Sequence, residues 1–149
     1  MFASCIKAYD SQSNPGEFAV EREANAVYVY PTQSMNKDGS PNVIKSPLAR
    51  TSINLVATNE SMTKIVLAIA NALTVGTGKT VVLGTLYNIP SDKHFTYSAT
   101  SKPVYACLAD LSDLCGQHIS WQLLYDPVLL QYSLNGYGDS ADIKGLLRQ

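Results

Sequence analysis

The sequence predicts an α+β fold: an N-terminal β-hairpin, an antiparallel sheet of about five strands, a usual size for a sheet, and two C-terminal helices. Two observations predict it. Everything up to about Ile89 reads as strands and turns, and the helical patterns come last, in VYACLADLSDLC and DPVLLQYSLNG. A single sheet whose helices all follow it has one face covered and one face bare. A bare face in a small chain is a binding or an assembly surface.

The 149 residues suit one domain. Charged residues make up 15% of the chain, against roughly 25% in an average soluble domain. Ser, Thr, Asn and Tyr carry the polar surface instead. So few charges predict burial against other copies or a partner. The net charge of −1 excludes a globally basic nucleic-acid binder, so any RNA or DNA contact rests on a local cluster of the eleven Lys and Arg.

Taken in order, Phe2 to Asp10 reads as a first strand and SQSNPG as a turn centred on Asn14-Pro15-Gly16. Glu17 to Tyr30 reads as a second strand or a strand pair, ending in AVYVYP at Pro31. Residues 1–31 thus form the N-terminal hairpin. Residues 32–47 read as a loop with a short strand at Asn42 to Lys45. Arg50 to Thr58 alternates, with Arg50, Ser52 and Asn54 on one face and Thr51, Ile53 and Leu55 on the other. Asn59-Glu60-Ser61 reads as a turn.

Thr63 to Leu73, TKIVLAIANAL, is divided. Its alanines favour helix and its Ile and Val favour strand. The flanking turn chemistry selects strand. TVGTGK then reads as a hairpin turn, and Thr80 to Ile89 as the last strand of a central sheet spanning 48–90. Residues 91–101 read as a polar connection.

Pro103 suits the first turn of a helix. Val104, Leu108, Leu111 and Cys115 follow at helical spacing, and Gly116 ends it. Asp126-Pro127 reads as the start of a second helix, closed by Asn135-Gly136. The helix pair spans 101–138, and 139–149 is a tail.

Catalytic signals are weak. VGTGKT lacks the first glycine of a phosphate loop, since position 73 is Leu. Two distant histidines, His94 and His118, make no metal site. Cys115 and His118 are spaced i,i+3 at a helix end, which is a poor nucleophile–base arrangement. Asp110 and Asp113 read as solvated helix residues. Cys5, Cys107 and Cys115 form no disulfide framework or zinc spacing. Neither a metal nor a cofactor is predicted. The string MFASCIKAYD has neither the basic nor the apolar region of a signal peptide, which predicts cytoplasmic synthesis. No membrane span is predicted.

The polar sheet face is the candidate binding surface. Arg50 and Lys64 suit phosphates, Ser52, Asn54 and Thr85 suit base edges, and Tyr87 suits stacking on an unpaired base. The solvated side of any antiparallel sheet gives a similar pattern. The stripe Val104, Leu108, Leu111 and the run Leu129, Leu130, Leu134 present more apolar surface than one small sheet covers, which predicts a dimer interface.

In layout the chain resembles the coat proteins of single-stranded RNA bacteriophages, the levivirus type. ARTSINLVATNESMTKIVLAIA is similar to that family's central hairpin, TVVLGTLYNIPSD to its last strand, and LADLSDLC with LLYDPVLLQYSLNGYG to its helix pair. The resemblance covers residues 2–138. It implies interlocked homodimers whose helices lie across the partner's sheet, an icosahedral shell, and genomic RNA bound on the inner sheet face. It implies a virion protein assembled in the bacterial cytoplasm. It places Arg50, Ser52, Asn54, Lys64, Thr85 and Tyr87 on the RNA-facing surface. The face has fewer basic residues than that family shows, and the tail beyond Gly138 is longer. A second resemblance follows if residues 62–75 are helical. The order strand, helix, TG turn, strand is then similar to sugar-binding B subunits of pentameric bacterial toxins.

Overall fold

The computed structural model describes residues 4, 8–9, 11–12, 17–23, 26–36, 38–126 and 128–139. The chain divides into two compact units, residues 1–50 and 51–149. The fold is α+β, with eight strands and two helices among the described residues.

The N-terminal unit is a three-stranded antiparallel meander of β1 (Glu17–Glu23), β2 (Ala26–Met35) and β3 (Pro41–Val43). The expected hairpin is present, but both its strands come from 17–35. In the run expected as the first strand, the described residues Ser4, Ala8 and Tyr9 are helical. The turn residues Asn14, Pro15 and Gly16 lie outside the described residues. β2 does not stop at Pro31. It continues to Met35 because Gln33, Ser34 and Met35 pair with β3.

One face of this meander carries a partly exposed side-chain cluster. The Tyr30 hydroxyl donates to Glu21 Oε1 at 2.6 Å. Arg50 pairs with Glu21 and lies 4.8 Å above the Tyr30 ring. The Tyr30 hydroxyl, and then Arg50, hold the Glu21 carboxyl below its ordinary value.

The C-terminal unit holds two small sheets and both helices. β4 (Ser52–Ser61) pairs antiparallel with β6 (His94–Pro103). The second sheet has the order β5-β8-β7, from β5 (Val81–Tyr87), β7 (Ile119–Asp126) and β8 (Gln131–Gly138). β5 runs parallel to β8, and β7 antiparallel to it. Helix α1 (Met62–Thr77) packs against both β4 and β5, and α2 (Val104–Cys115) packs against β6.

Residues 62–75 are therefore helix, which corrects the strand expectation. Ser61 caps the helix by accepting from the Lys64 backbone N–H, and Gly78 ends it in the left-handed region at φ 70. Ile65, Val66, Ile69, Ala70 and Leu73 recur at helical spacing and are fully buried. They form the centre of the core, with Ile53, Tyr97, Leu111 and Leu134 around them. β-branched residues cost only a few tenths of a kcal/mol each in a helix, far less than the apolar burial returns.

The central region 48–90 is accordingly not one sheet. β4 and β5, on either side of α1, lie in different sheets. Residues 94–101, expected as part of the connection 91–101, belong instead to strand β6, His94–Pro103. Phe95, Tyr97 and Ala99 point inward there, while Thr96, Ser98 and Thr100 are exposed.

α2 forms where Val104, Leu108 and Leu111 predict it, with Gly116 in the left-handed region at its end, but Pro103, expected in its first turn, is its N-cap and the last residue of β6. The second C-terminal helix does not form. Residues 119–138 are a β-hairpin, paired from Ile119↔Gly138 out to Asp126↔Gln131. Asn135 and Gly136, expected as a helix stop, sit in mid-strand. Asn135 is buried and fills a bulge in β5, accepting from the Thr85 N–H at 2.8 Å. Gly136 leaves room for the Trp121 ring. The tail expected at 139–149, with Lys144 and Arg148, lies outside the described residues beyond Asp139. Among the described residues no helix is long and apolar enough to cross a membrane.

Candidate functional site

The residues expected to face RNA fall in four places. Ser52 and Asn54 are exposed on the outer side of β4. The Asn54 side chain is engaged, accepting from the Ser101 N–H at 2.8 Å. Val56 and Thr58 continue that side, with Ser98 opposite Val56 on β6. Lys64 is on α1, 2.9 Å from Glu60 in an exposed i,i+4 pair. Thr85 and Tyr87 are exposed on β5, in the other sheet. Arg50 belongs to the N-terminal unit and faces Glu21. The sheet side carrying Ser52 and Asn54 is uncharged and rich in hydroxyls. Tyr87 stands beside Tyr137, its register partner on β8, and both are exposed.

The residues expected at a dimer interface divide sharply. Val104, Leu108, Leu111 and Leu134 are buried in the core of their own chain. Leu129 is 63% exposed and Leu130 69%, beside Val128 at 86%. Leu124 and Tyr125, at the outer end of β7, are about half exposed. These five side chains form an apolar arm at the tip of the β7–β8 hairpin.

The arm is built by local chemistry. Asp126 Oδ1 accepts from the N–H groups of Val128 at 2.8 Å and Leu129 at 3.1 Å, an Asx-type turn. Leu130 takes φ 54 in the left-handed region, at a cost of about 1–2 kcal/mol for a residue with a Cβ. The Tyr125 and Tyr132 rings meet with centroids 4.8 Å apart and planes inclined at 44° at the base of the tip. The core reaches Leu123, Leu134 and, partly buried, Tyr132. Beyond it the chain stays paired to Asp126↔Gln131, while Leu124, Tyr125, Val128, Leu129 and Leu130 are exposed.

Leu129 and Leu130 are where the sequence places an apolar contact surface, and Val128, Leu124 and Tyr125 join them only in the structure. The period-2 run Ile119, Trp121, Leu123, Tyr125 signals the strand, but of these only Tyr125 belongs to the arm.

Other chemistry-bearing groups are tied into the fold. Burial pushes the Cys115 thiol above its ordinary value, with Lys93 opposing in part. A neutral thiol is a poor nucleophile. The Tyr97 hydroxyl donates to Asp110 Oδ2 at 2.9 Å, and Lys102 pairs with the same oxygen. Burial, then Cys107 and Asp110, raise Tyr97 above the usual tyrosine range. This cluster clasps α2 to β6. It borders an open hollow of about 410 Å³ lined by Thr96, Tyr97, Ser98, Asp110, Asp113 and Leu114.

The string TVGTGK closes helix α1 and does not open a helix. Phosphate loops place their glycines before a helix N-terminus, where the dipole attracts anions. A helix C-terminus repels them. Lys79 lies 5.7 Å from the Tyr132 ring, an exposed cation–π contact of about 0.5–1 kcal/mol at most. Lys79→Ala is expected to lower stability by no more than that. Isothermal titration with ATP is expected to give no heat of binding in either protein.

Comparison with protein-family models, curated proteins and solved structures finds no match to this chain.

Proposed function

We propose that this chain is a non-catalytic structural subunit that assembles with copies of itself, in the manner of a coat protein, around single-stranded RNA. The observation that carries the reading is the apolar arm. Five large apolar side chains held out on a paired hairpin are an association surface. The chain's low charge content supports the same reading, since charged residues are depleted at interface cores.

The interlocked arrangement through the helix faces is not part of this proposal. Val104, Leu108 and Leu111 already have their burial within the chain. The levivirus-type layout also needs strand at 62–75 and helix at 127–136, and this chain has helix and hairpin there. Assembly through the arm takes the place of interlocked helices. RNA contact falls to neutral groups. The hydroxyl-bearing side of β4–β6 suits base edges, and the Tyr87–Tyr137 pair suits stacking.

One observation favours the second reading, a pentameric sugar-binding subunit. The order strand, helix, glycine turn, strand occurs at β4–α1–β5. Both readings require self-association and differ in ligand.

The test is light scattering and electron microscopy on the purified chain, with absorbance read for bound nucleic acid. Closed shells containing RNA are the expected result. Five-membered rings that bind glycans would move the chain to the second reading, and a monomer at every concentration overturns both. Leu129→Asp with Leu130→Asp is expected to stop assembly at the arm and leave the fold intact. Both positions are exposed, and aspartate tolerates the left-handed backbone at 130 better than leucine does.

A further inference from the structure

The open hollow between α2 and β6 lies along a strand edge. Side chains of consecutive strand residues point to opposite faces, yet Thr96, Tyr97 and Ser98 all border it. Three consecutive residues share one hollow only along the edge of their strand. The other edge of β6 is paired with β4, and no described strand lies along this one. An edge strand turns the N–H and C=O groups of alternate residues outward, where they pair with any extended chain that fits.

α2 forms the opposite wall with Asp110, Asp113 and Leu114. Asp110 is engaged by Tyr97 and Lys102. Asp113 is exposed, and its side chain has no ion pair or hydrogen bond among the described residues. Leu114 beside it is 42% exposed. The hollow thus offers an open strand edge, one uncompensated carboxylate and an apolar wall.

We propose that its occupant is this chain's own segment beyond β8, with Lys144 to Arg148 laid along the free edge of β6 and the Lys144 ammonium on Asp113. The proposal stands apart from the assembly reading.

Position selects this occupant. The Asp139 N–H donates to the His118 carbonyl at 3.1 Å, so the last described residue sits beside the chain that leaves α2. His118 follows Leu114 by four residues, at most ~14 Å of chain, and the paired backbones add ~5.5 Å. The sequence after Asp139 is SADIKGLLRQ. Extended, it carries Lys144 about 17 Å from Asp139 and Arg148 about 30 Å. The segment therefore comes within reach of Leu114 and Asp113 at Lys144 and runs on along the hollow.

Charge and apolarity select it as well. The cations Lys144 and Arg148 flank Leu146 and Leu147. In an extended chain Lys144, Leu146 and Arg148 share one side, which matches Asp113 and Leu114, neighbours on α2. A segment held there also guards β6, because a covered edge no longer pairs with strands of other molecules.

The test is hydrogen exchange read by mass spectrometry on the full chain. Amides of residues 144–148 are expected to exchange about tenfold more slowly than in a free peptide of sequence SADIKGLLRQ. Asp113→Lys and Lys144→Asp are each expected to lower that protection about threefold, since each turns an attraction into a repulsion. The double variant D113K/K144D is expected to restore it. Asp113 is exposed near the C-terminus of α2, where a cation suits the helix dipole, so Asp113→Lys leaves the fold intact. Asp92→Lys, at an exposed position outside the hollow, is expected to change nothing.

Wild-type exchange at the rate of the free peptide overturns the proposal. Protection that Asp113→Lys leaves unchanged overturns it too, as does a double variant that recovers none. Protection lost on dilution overturns it in favour of the hollow of a second copy.

Discussion

Leu111→Asp is expected to leave the C-terminal unit unfolded. Leu111 is fully buried on α2, within the cluster formed by α1 and the two sheets. A carboxylate there has lost its water and gained no cation, and it deletes a core leucine as well. Unpaired buried charges and core truncations are the mechanisms behind single changes above about 4 kcal/mol. Folded domains hold only about 5–15 kcal/mol in total. Circular dichroism and denaturant melts read the loss directly. Leu114→Asp, one turn along the same helix, is the control. Leu114 is exposed, and its change is expected within about 0.5 kcal/mol of wild type. A native-like melt for Leu111→Asp would mean that α2 does not bury this face.

Gly136→Ala is expected to have the next largest effect. A Cβ at position 136 would lie 2.6 Å from Trp121 Cζ3 and 2.8 Å from Ile89 Cδ1. β8 is the central strand of its sheet, held on both sides, so its backbone cannot yield. The Trp121 ring has to swing away, and its Nε1–H donation to Ser112 Oγ at 3.1 Å is lost. Overpacking costs about 1–3 kcal/mol and the lost hydrogen bond about 1 kcal/mol more. Trp121 is the only tryptophan, so its emission reports the displacement while urea melts report the stability. Unchanged emission would show that the glycine is dispensable.

That glycine also shows where the sequence is ambiguous. Asn-Gly ends helices because both residues tolerate the left-handed backbone. The same pair serves in a strand where a polar side chain plugs a bulge and a neighbouring ring needs space. Which of the two applies depends on β5, a strand far away in sequence. The segment at 62–77 is a similar case. Its spacing fits a helix, but alanine beside Ile and Val carries opposed local preferences, and the decision rests on the sheets that α1 fills between. β6 was invisible for another reason. Half its residues are Thr, Ser and His facing water, so its composition is that of a loop. By contrast α2 was legible, because Val104, Leu108 and Leu111 are regularly spaced and Gly116 stops the helix.

The candidate site was legible only in part. Apolar content identified Leu108, Leu111, Leu129 and Leu130 alike, and only the tertiary fold separates the first two, in the core, from the last two, on the arm. The polar candidates Ser52 and Asn54 share a face because a single strand carries both. Lys64, Thr85 and Tyr87 were assigned to that face through a strand pairing that α1 replaces.

The parallel pairing of β5 with β8 fixes when this protein can fold during its own synthesis. The contact between Thr85 and Asn135 spans 50 residues, and β8 is the last described strand. Until Gly138 leaves the ribosome, β5 has no partner and α1 has only one of its two sheets. The nascent chain therefore carries an unpaired apolar strand from the synthesis of β5 until that of β8, in a state open to capture by a neighbour on the same message. Chains that stop between β5 and β8 keep that strand unpaired and are expected to aggregate.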